Sequence, residues 1–456
     1  MKRLLAVACL SLAVAGLFAR FSAAAFTRSM STSSNTVTVD KLANYFSVTP
    51  INTTVASGGV DNLSLDFGTV ASARTFTSVF RITNVSGASQ TAVLALSNVP
   101  QVASITPTSA ALAAGASTTV SVTTSSTVAG RGNGTLRLSL SGSNWLYRDY
   151  SFKLDEAPET ATAPAVVQKP AGRLDLSWTA STTVTNLAGY DVYRSNGGGA
   201  YTKLNGAPLT GTTYSDTTTT DGVSYTYKLT ATSTGTPVLT SVDSTTVTAT
   251  ADATAPTVSG VALANGGGNG NAYVNSGNAS SISVNVSLPA GSLATDTVAL
   301  TISNGANSVT ATRAGSSGAG TVSFTGLNVS ALGEGTLTIS AKSTDAAGNI
   351  GAASSVGVTK DTVAPALGTP SYTDNNNTTA DVISGTAEAN ASISITKTSP
   401  APSANYSGTA TGGTYTITVA ASNGKPSTPI AVSYSITATD AAGNTSSTSL
   451  NYSDTK

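Results

Sequence analysis

Enzyme chemistry needs groups that move a proton, attack a carbon or ligate a metal, and the 456-residue sequence is poor in all three. Histidine is absent. Its absence removes the commonest general base, the usual zinc ligand and every Ser-His or Cys-His pair at once. The one cysteine, Cys9, lies in an apolar N-terminal stretch, so no disulfide and no thiol nucleophile is expected further along. No Gly-x-Ser-x-Gly elbow occurs, and no two carboxylates sit on strands that spacing alone would bring together for glycoside hydrolysis. The Gly-rich stretch Asn265–Asn278 (NGGGNGNAYVNSGN) lacks the Lys and following Ser/Thr of a phosphate-binding loop, and no helix is expected behind it. A hairpin loop is the expectation there.

Two sets of side chains remain. Asp252, Asp345, Asp361 and Asp440 fall at or near the expected domain junctions, where Asp, Asn and carbonyl oxygens would suit calcium. Each junction supplies few carboxylates and no DxDxDG-like loop is present, so turn and capping roles take precedence over a calcium site. Trp145, Tyr147 and Tyr150 form a small aromatic cluster. Period two puts Trp145, Tyr147 and Asp149 on one face and Leu146, Arg148 and Tyr150 on the other. Packing at an edge or against the next domain is expected, with a sugar-binding platform as the functional alternative.

The elements that position these residues are read from alternation. In Gly335–Lys342 (GTLTISAK), Leu337, Ile339 and Ala341 share one face; in Ala431–Thr439 (AVSYSITAT), Val432, Tyr434, Ile436 and Ala438 do. Each run is a half-buried strand. Each ends in the same corner, DAAGN, at Asp345–Asn349 and Asp440–Asn444. The Asp of that corner can hydrogen-bond the backbone two residues on, and Gly-Asn tolerates positive φ. Alternating runs, fixed corners and Asp-x-x-Ala-Pro junctions repeated at domain spacing predict an all-β chain of tandem sandwiches.

Composition bounds the rest. A chain of this length holds several domains, because one core seldom grows beyond about 250–300 residues. Charged residues are 10% and hydrophobic residues 40%, enough apolar material for packed cores despite the Ser/Thr richness. Net charge is zero and no basic block occurs, which argues against nucleic acid as a partner. Lys2–Arg3, the apolar run Leu4–Phe18 and the small residues Ser22–Ala25 read as a signal peptide over residues 1–25, hence a secreted protein. The C-terminal residues carry no LPxTG-type sorting motif and no apolar tail, so neither a wall anchor nor a membrane span of the mature chain is expected.

Several stretches resemble known families. Ala25–Leu42 (AFTRSMSTSSNTVTVDKL) resembles the leader junction of proteins cleaved by SipW-type signal peptidase, such as TasA and camelysin-like matrix proteins. Over 37–155, LDFGTV, FRITNVS, LAAGASTTVSV and GNGTLRLS resemble Ig-like domains of the ASPM/SPD-2/hydin type. Residues 163–251 resemble fibronectin type III: RLDLSW, GYDVYRS and DGVSYTYKLTAT match, which implies that Trp178 is a core residue and Tyr225 a tyrosine corner. The long tail STGTPVLTSVDSTTVTATA departs from that pattern and is expected to close the final strands. Residues 255–361 and 364–456 resemble bacterial Ig-like repeats, some of which bind calcium between domains.

The fold class expected is therefore four tandem Ig-like or fibronectin-type β-sandwiches after a signal peptide. The expected function is that of a non-enzymatic cell-surface or matrix protein, an adhesive or structural spacer with an unidentified polysaccharide or protein ligand. A carbohydrate-binding accessory of polysaccharide degradation and a fibre-forming matrix subunit are the alternatives.

Overall fold

The computed structural model describes residues 30–32, 35–37, 40–375, 380–419 and 429–454. The signal-peptide assignment, Cys9 and most of the leader-junction resemblance lie outside the described residues. The chain divides into two compact units: Met1–Gln168 with Gly172–Asp252, and Lys169–Ala171 with Ala253–Lys456. Regular structure in both is strand, broken only by three short 3-10 turns among the described residues. No helix there is long and apolar enough to cross a membrane.

The first unit contains two separate apolar cores. Around the first, a four-stranded sheet ordered Phe46–Pro50, Thr75–Asn84, Ser117–Thr124, Val102–Thr106 faces a six-stranded one. The centre of the latter is the antiparallel pair Gly130–Leu140 and Tyr147–Glu156. Alternation explains the burial: along Tyr147–Glu156, Arg148, Tyr150, Phe152, Leu154 and Glu156 point inward. Phe67 packs between Phe76 and Phe152, with ring centroids 4.8 and 5.0 Å away. The pairing of Ser64–Val70 with Tyr147–Glu156 is parallel, which no hairpin signal announces. Strands at Phe46–Pro50, Val102–Thr106 and Ser109–Leu112 also escape the alternation reading, since two of the three are flanked or ended by proline.

The second core lies between the three-stranded sheet Thr162–Gln168, Leu174–Thr179, Thr213–Asp216 and a four-stranded sheet built on Leu187–Asn196 and Ser224–Ser233. Trp178 is buried there, edge-on to Tyr190 at 5.6 Å. The Tyr225 hydroxyl accepts the Thr220 N–H at 3.0 Å, tying the loop before its own strand. Tyr227 and Arg194 both donate to Asp216 Oδ2, at 2.8 and 2.7 Å. Burial acts to raise the Asp216 carboxyl, but donors from Thr218, Tyr227 and Arg194 outweigh it and hold it below the usual carboxylate range. The long tail is the closing edge: Val247–Thr250 pairs with Ser224–Tyr227. Before it, the Ser241 and Ser244 hydroxyls accept from the Ala231 and Leu229 N–H groups, replacing ladder bonds.

In the second unit, one core is enclosed by a three-stranded sheet on Ile282–Leu288 and a five-stranded sheet on Gly335–Thr344. Leu337, Ile339 and Ala341 are all buried. The other is enclosed by sheets on Asp381–Thr386 and Ile430–Thr439, with Val432, Tyr434, Ile436 and Ala438 inward. Both long central strands run directly into the corners Asp345–Asn349 and Asp440–Asn444.

Candidate functional site

The two corners share one geometry. Asp440 Oδ1 accepts the Asn444 N–H at 2.8 Å and Asp440 Oδ2 accepts Asn444 Nδ2–H at 2.9 Å. Asp345 holds Asn349 identically, at 2.8 and 2.9 Å. The carboxylate thus reaches four residues along the chain rather than two, and both of its oxygens are used on one asparagine. Gly348 and Gly443 supply the positive φ of 91° and 90° that turns the chain back. Both asparagines are buried.

What the clamp holds out is the asparagine amide. Asn444 Oδ1 accepts the Ser276 N–H at 2.8 Å, and Asn444 Nδ2 donates to the Asp361 carbonyl at 2.8 Å. Ser276 lies at the end of the Gly-rich stretch, and Asp361 follows the last strand of the sandwich that contains it. Asn275 Nδ2 also donates to the Ala442 carbonyl at 2.9 Å. Lys169–Ala171 groups with this unit, and there Asn349 Oδ1 accepts the Ala171 N–H at 2.9 Å. The repeated corner is a plug whose buried amide engages the preceding segment.

The Gly-rich stretch is the socket. It joins the antiparallel strands Gly260–Leu263 and Ile282–Leu288, as a hairpin loop would, but it also sends Tyr273–Val274 to pair in parallel with Ser354–Lys360 of the opposite sheet. A Cβ on Gly267 would lie 2.4 Å from the Ala442 oxygen, and one on Gly268, where φ is +68°, 2.3 Å from the Ala441 oxygen. Side chains there would keep the plug out. These glycines admit a neighbouring backbone, a role that loop composition alone does not reveal.

The four aspartates are not gathered into one place. Asp345 and Asp440 clamp their asparagines, Asp361 lends its carbonyl to Asn444 and a carboxylate oxygen to the Val363 N–H, and Asp252 accepts the Gly172 N–H through its carbonyl at 3.1 Å. Among the described residues no three His, Cys, Asp or Glu side chains come together as a metal cluster. The aromatic cluster also separates. Tyr150 is buried with its hydroxyl donating to the Val60 carbonyl at 2.8 Å, Tyr147 lies under the Arg137 guanidinium at 3.9 Å, and Trp145 is 57% exposed.

The first unit has a joint of a different kind. Glu156–Pro164, a linker by composition, is tied down: Ala157 and Ala161 are buried, and Ser181 Oγ donates to the Glu159 carbonyl at 2.6 Å. Val184 and Thr185 N–H groups both donate to the Thr127 carbonyl at 3.0 Å, and Asn186 Nδ2 to the Ala129 carbonyl at 2.9 Å. Glu156 is buried beside this contact, with neither carboxyl oxygen in a hydrogen bond of ordinary geometry. Burial pushes its carboxyl up to about 8; Glu159 adds to the rise, while Thr124 and Arg74 oppose it. Nothing in the sequence marks it out except a lone acid at an inward strand position.

No family model matches the chain, and no curated protein matches it. Among solved structures, it is similar to the FN1–FN3 domains of chicken CNTN1 (11% identity, covering 66% of this chain and all of that one, TM-score 0.27). It is also similar to a tetra-tandem repeat from the extending region of a large adhesion protein (20% identity, 84% and 96% covered, TM-score 0.25). A third likeness is to an Fn3-like protein from Clostridium thermocellum (29% identity, 20% and 91% covered, TM-score 0.18).

Proposed function

We propose that the chain is a non-enzymatic, secreted cell-surface or matrix protein that spaces or presents binding surfaces. The observation that carries this reading is the joint at Asn444: hydrogen bonds, a clamped turn and a glycine socket are spent on fixing one sandwich against the next. Fixed joints matter to a spacer and are of no use to modules that act independently. The lack of histidine throughout the chain supports the non-enzymatic part. The test is fractionation of the source cells together with immunogold labelling. Label on the cell surface or in the matrix is expected, and protein found in the medium with no surface label would overturn the reading.

Exposed Trp145 favours a second reading, a polysaccharide-binding accessory. Pull-down on insoluble polysaccharide, lost in Trp145→Ala, would support it; equal retention of both proteins would remove it.

A further inference from the structure

We propose that the Asn444 carboxamide stands where a bridging cation would stand, so that this joint is set without metal and Asn444→Asp alone converts it into a divalent-cation site. The inference rests on the spacer reading and adds what holds the spacer together. Asn444 Nδ2 donates at 2.9 Å to Asp440 Oδ2 and at 2.8 Å to the Asp361 carbonyl. One oxygen belongs to the turn of the last sandwich and the other to the chain entering it from the sandwich before. Drawing oxygens from separate segments onto one centre is what a hard cation does with carboxylate and carbonyl ligands. A carboxamide NH2 has two donors, which match two acceptors without a net charge.

The orientation of the amide follows from its partners. The Ser276 N–H can only donate, so it faces Oδ1; the carboxylate and the carbonyl can only accept, so they face Nδ2. The group is buried, so water does not compete for these positions. The Asp345–Asn349 corner repeats the clamp at matching distances and turns its Oδ1 onto the Ala171 N–H. An arrangement built twice is a device of the motif rather than an accident of one turn.

Replacing the amide nitrogen by oxygen changes the sign of the site. Three oxygens would then converge, from Asp440, from the Asp361 carbonyl and from the new carboxylate, and two of the side chains would be anionic. Empty, the site repels itself; with calcium, those oxygens are suitable ligands at about 2.3–2.6 Å.

The test uses the full chain with Cys9→Ser and spin labels on Thr338→Cys and Thr418→Cys, both exposed and on successive sandwiches. Electron double resonance reads the distance distribution in chelator and in about 1–10 mM calcium, above the roughly 0.1–1 mM dissociation constants of extracellular calcium modules. The expected wild-type distribution is narrow and the same in both. Asn444→Asp should broaden it in chelator and restore it with calcium, while Asn444→Ala should stay broad in both. Recovery by calcium shows that the aspartate variant is folded. A wild type that narrows only with calcium would overturn the inference and leave the spacer standing. An Asn444→Asp protein indifferent to calcium, or an Asn444→Ala protein as narrow as the wild type, would also overturn it. A wild type broad in both solutions would sink the inference and the spacer reading together.

Discussion

The joint of the first unit and that of the second do similar work with opposite chemistry. In the first, main-chain groups of Thr127 and Ala129 meet Val184, Thr185 and Asn186, and a carboxyl with no hydrogen bond of ordinary geometry is buried alongside. In the second, each polar group at Asn444 has a partner, and the carboxylate of Asp440 is used up inside its own turn. A buried acid without donors favours its neutral form and ties stability to pH. A buried amide with matched partners carries no charge to titrate. One joint should therefore respond to pH and the other to geometry.

The largest effect is expected at the socket. Gly268→Val places a branched side chain where φ is +68° and the Ala441 oxygen would be 2.3 Å away, so the plug cannot seat. Backbone strain and overpacking of this kind cost about 1–3 kcal/mol each. In calorimetry the transition of the second unit should fall and split, with that of the first unchanged. Next is Glu156. Its carboxyl is raised from 4.5 to about 8 in the folded protein, so between those values the folded state binds more protons than the unfolded one. Its contribution is complete below about pH 4.5 and is lost as pH rises toward about 8. Melting of the first unit should shift downward over that window, and Glu156→Gln should flatten the profile. If the wild-type profile is already flat, the contrast between the joints fails.

A smaller effect separates joints from cores. Tyr225→Phe removes the acceptor of the Thr220 N–H, which water can reach, and should cost about 0.5–1.5 kcal/mol in chemical denaturation, while the distances across both joints stay the same. The smallest is Arg131→Ala, which removes an exposed ion pair with Asp155 at 3.2 Å and should cost under about 1 kcal/mol.

The cores were legible in the sequence because alternation is a local signal. Leu337, Ile339, Val432 and Ile436 could be placed inward from spacing alone, and Trp178 from the fibronectin type III resemblance of its stretch. Strands beside proline and the parallel pairing of Ser64–Val70 were not, since their partners are set by tertiary contacts. At the joint, sequence reading singled out both halves, the DAAGN corner and the Gly-rich loop, but not that one fits the other. In the sequence, Asp440 and Asp345 have the chemistry of oxygen ligands, whereas the asparagine four residues on, which makes the contact, has only that of a turn former. That assignment needs the distance between two segments far apart in the chain. Glu156 was missed for the same reason: its burial is set by the sandwich edge and the tied linker, not by its neighbours in sequence.

The central claim, that a clamped asparagine amide fixes one sandwich to the next, is tested most directly by hydrogen exchange at one backbone amide. Ser276 N–H donates to Asn444 Oδ1 of the neighbouring sandwich. In the wild-type chain that amide should be protected, and in Asn444→Ala it should exchange freely while Val284 and Ile436 in the flanking cores stay protected. A Ser276 amide that already exchanges at the open-chain rate in the wild type would contradict the account.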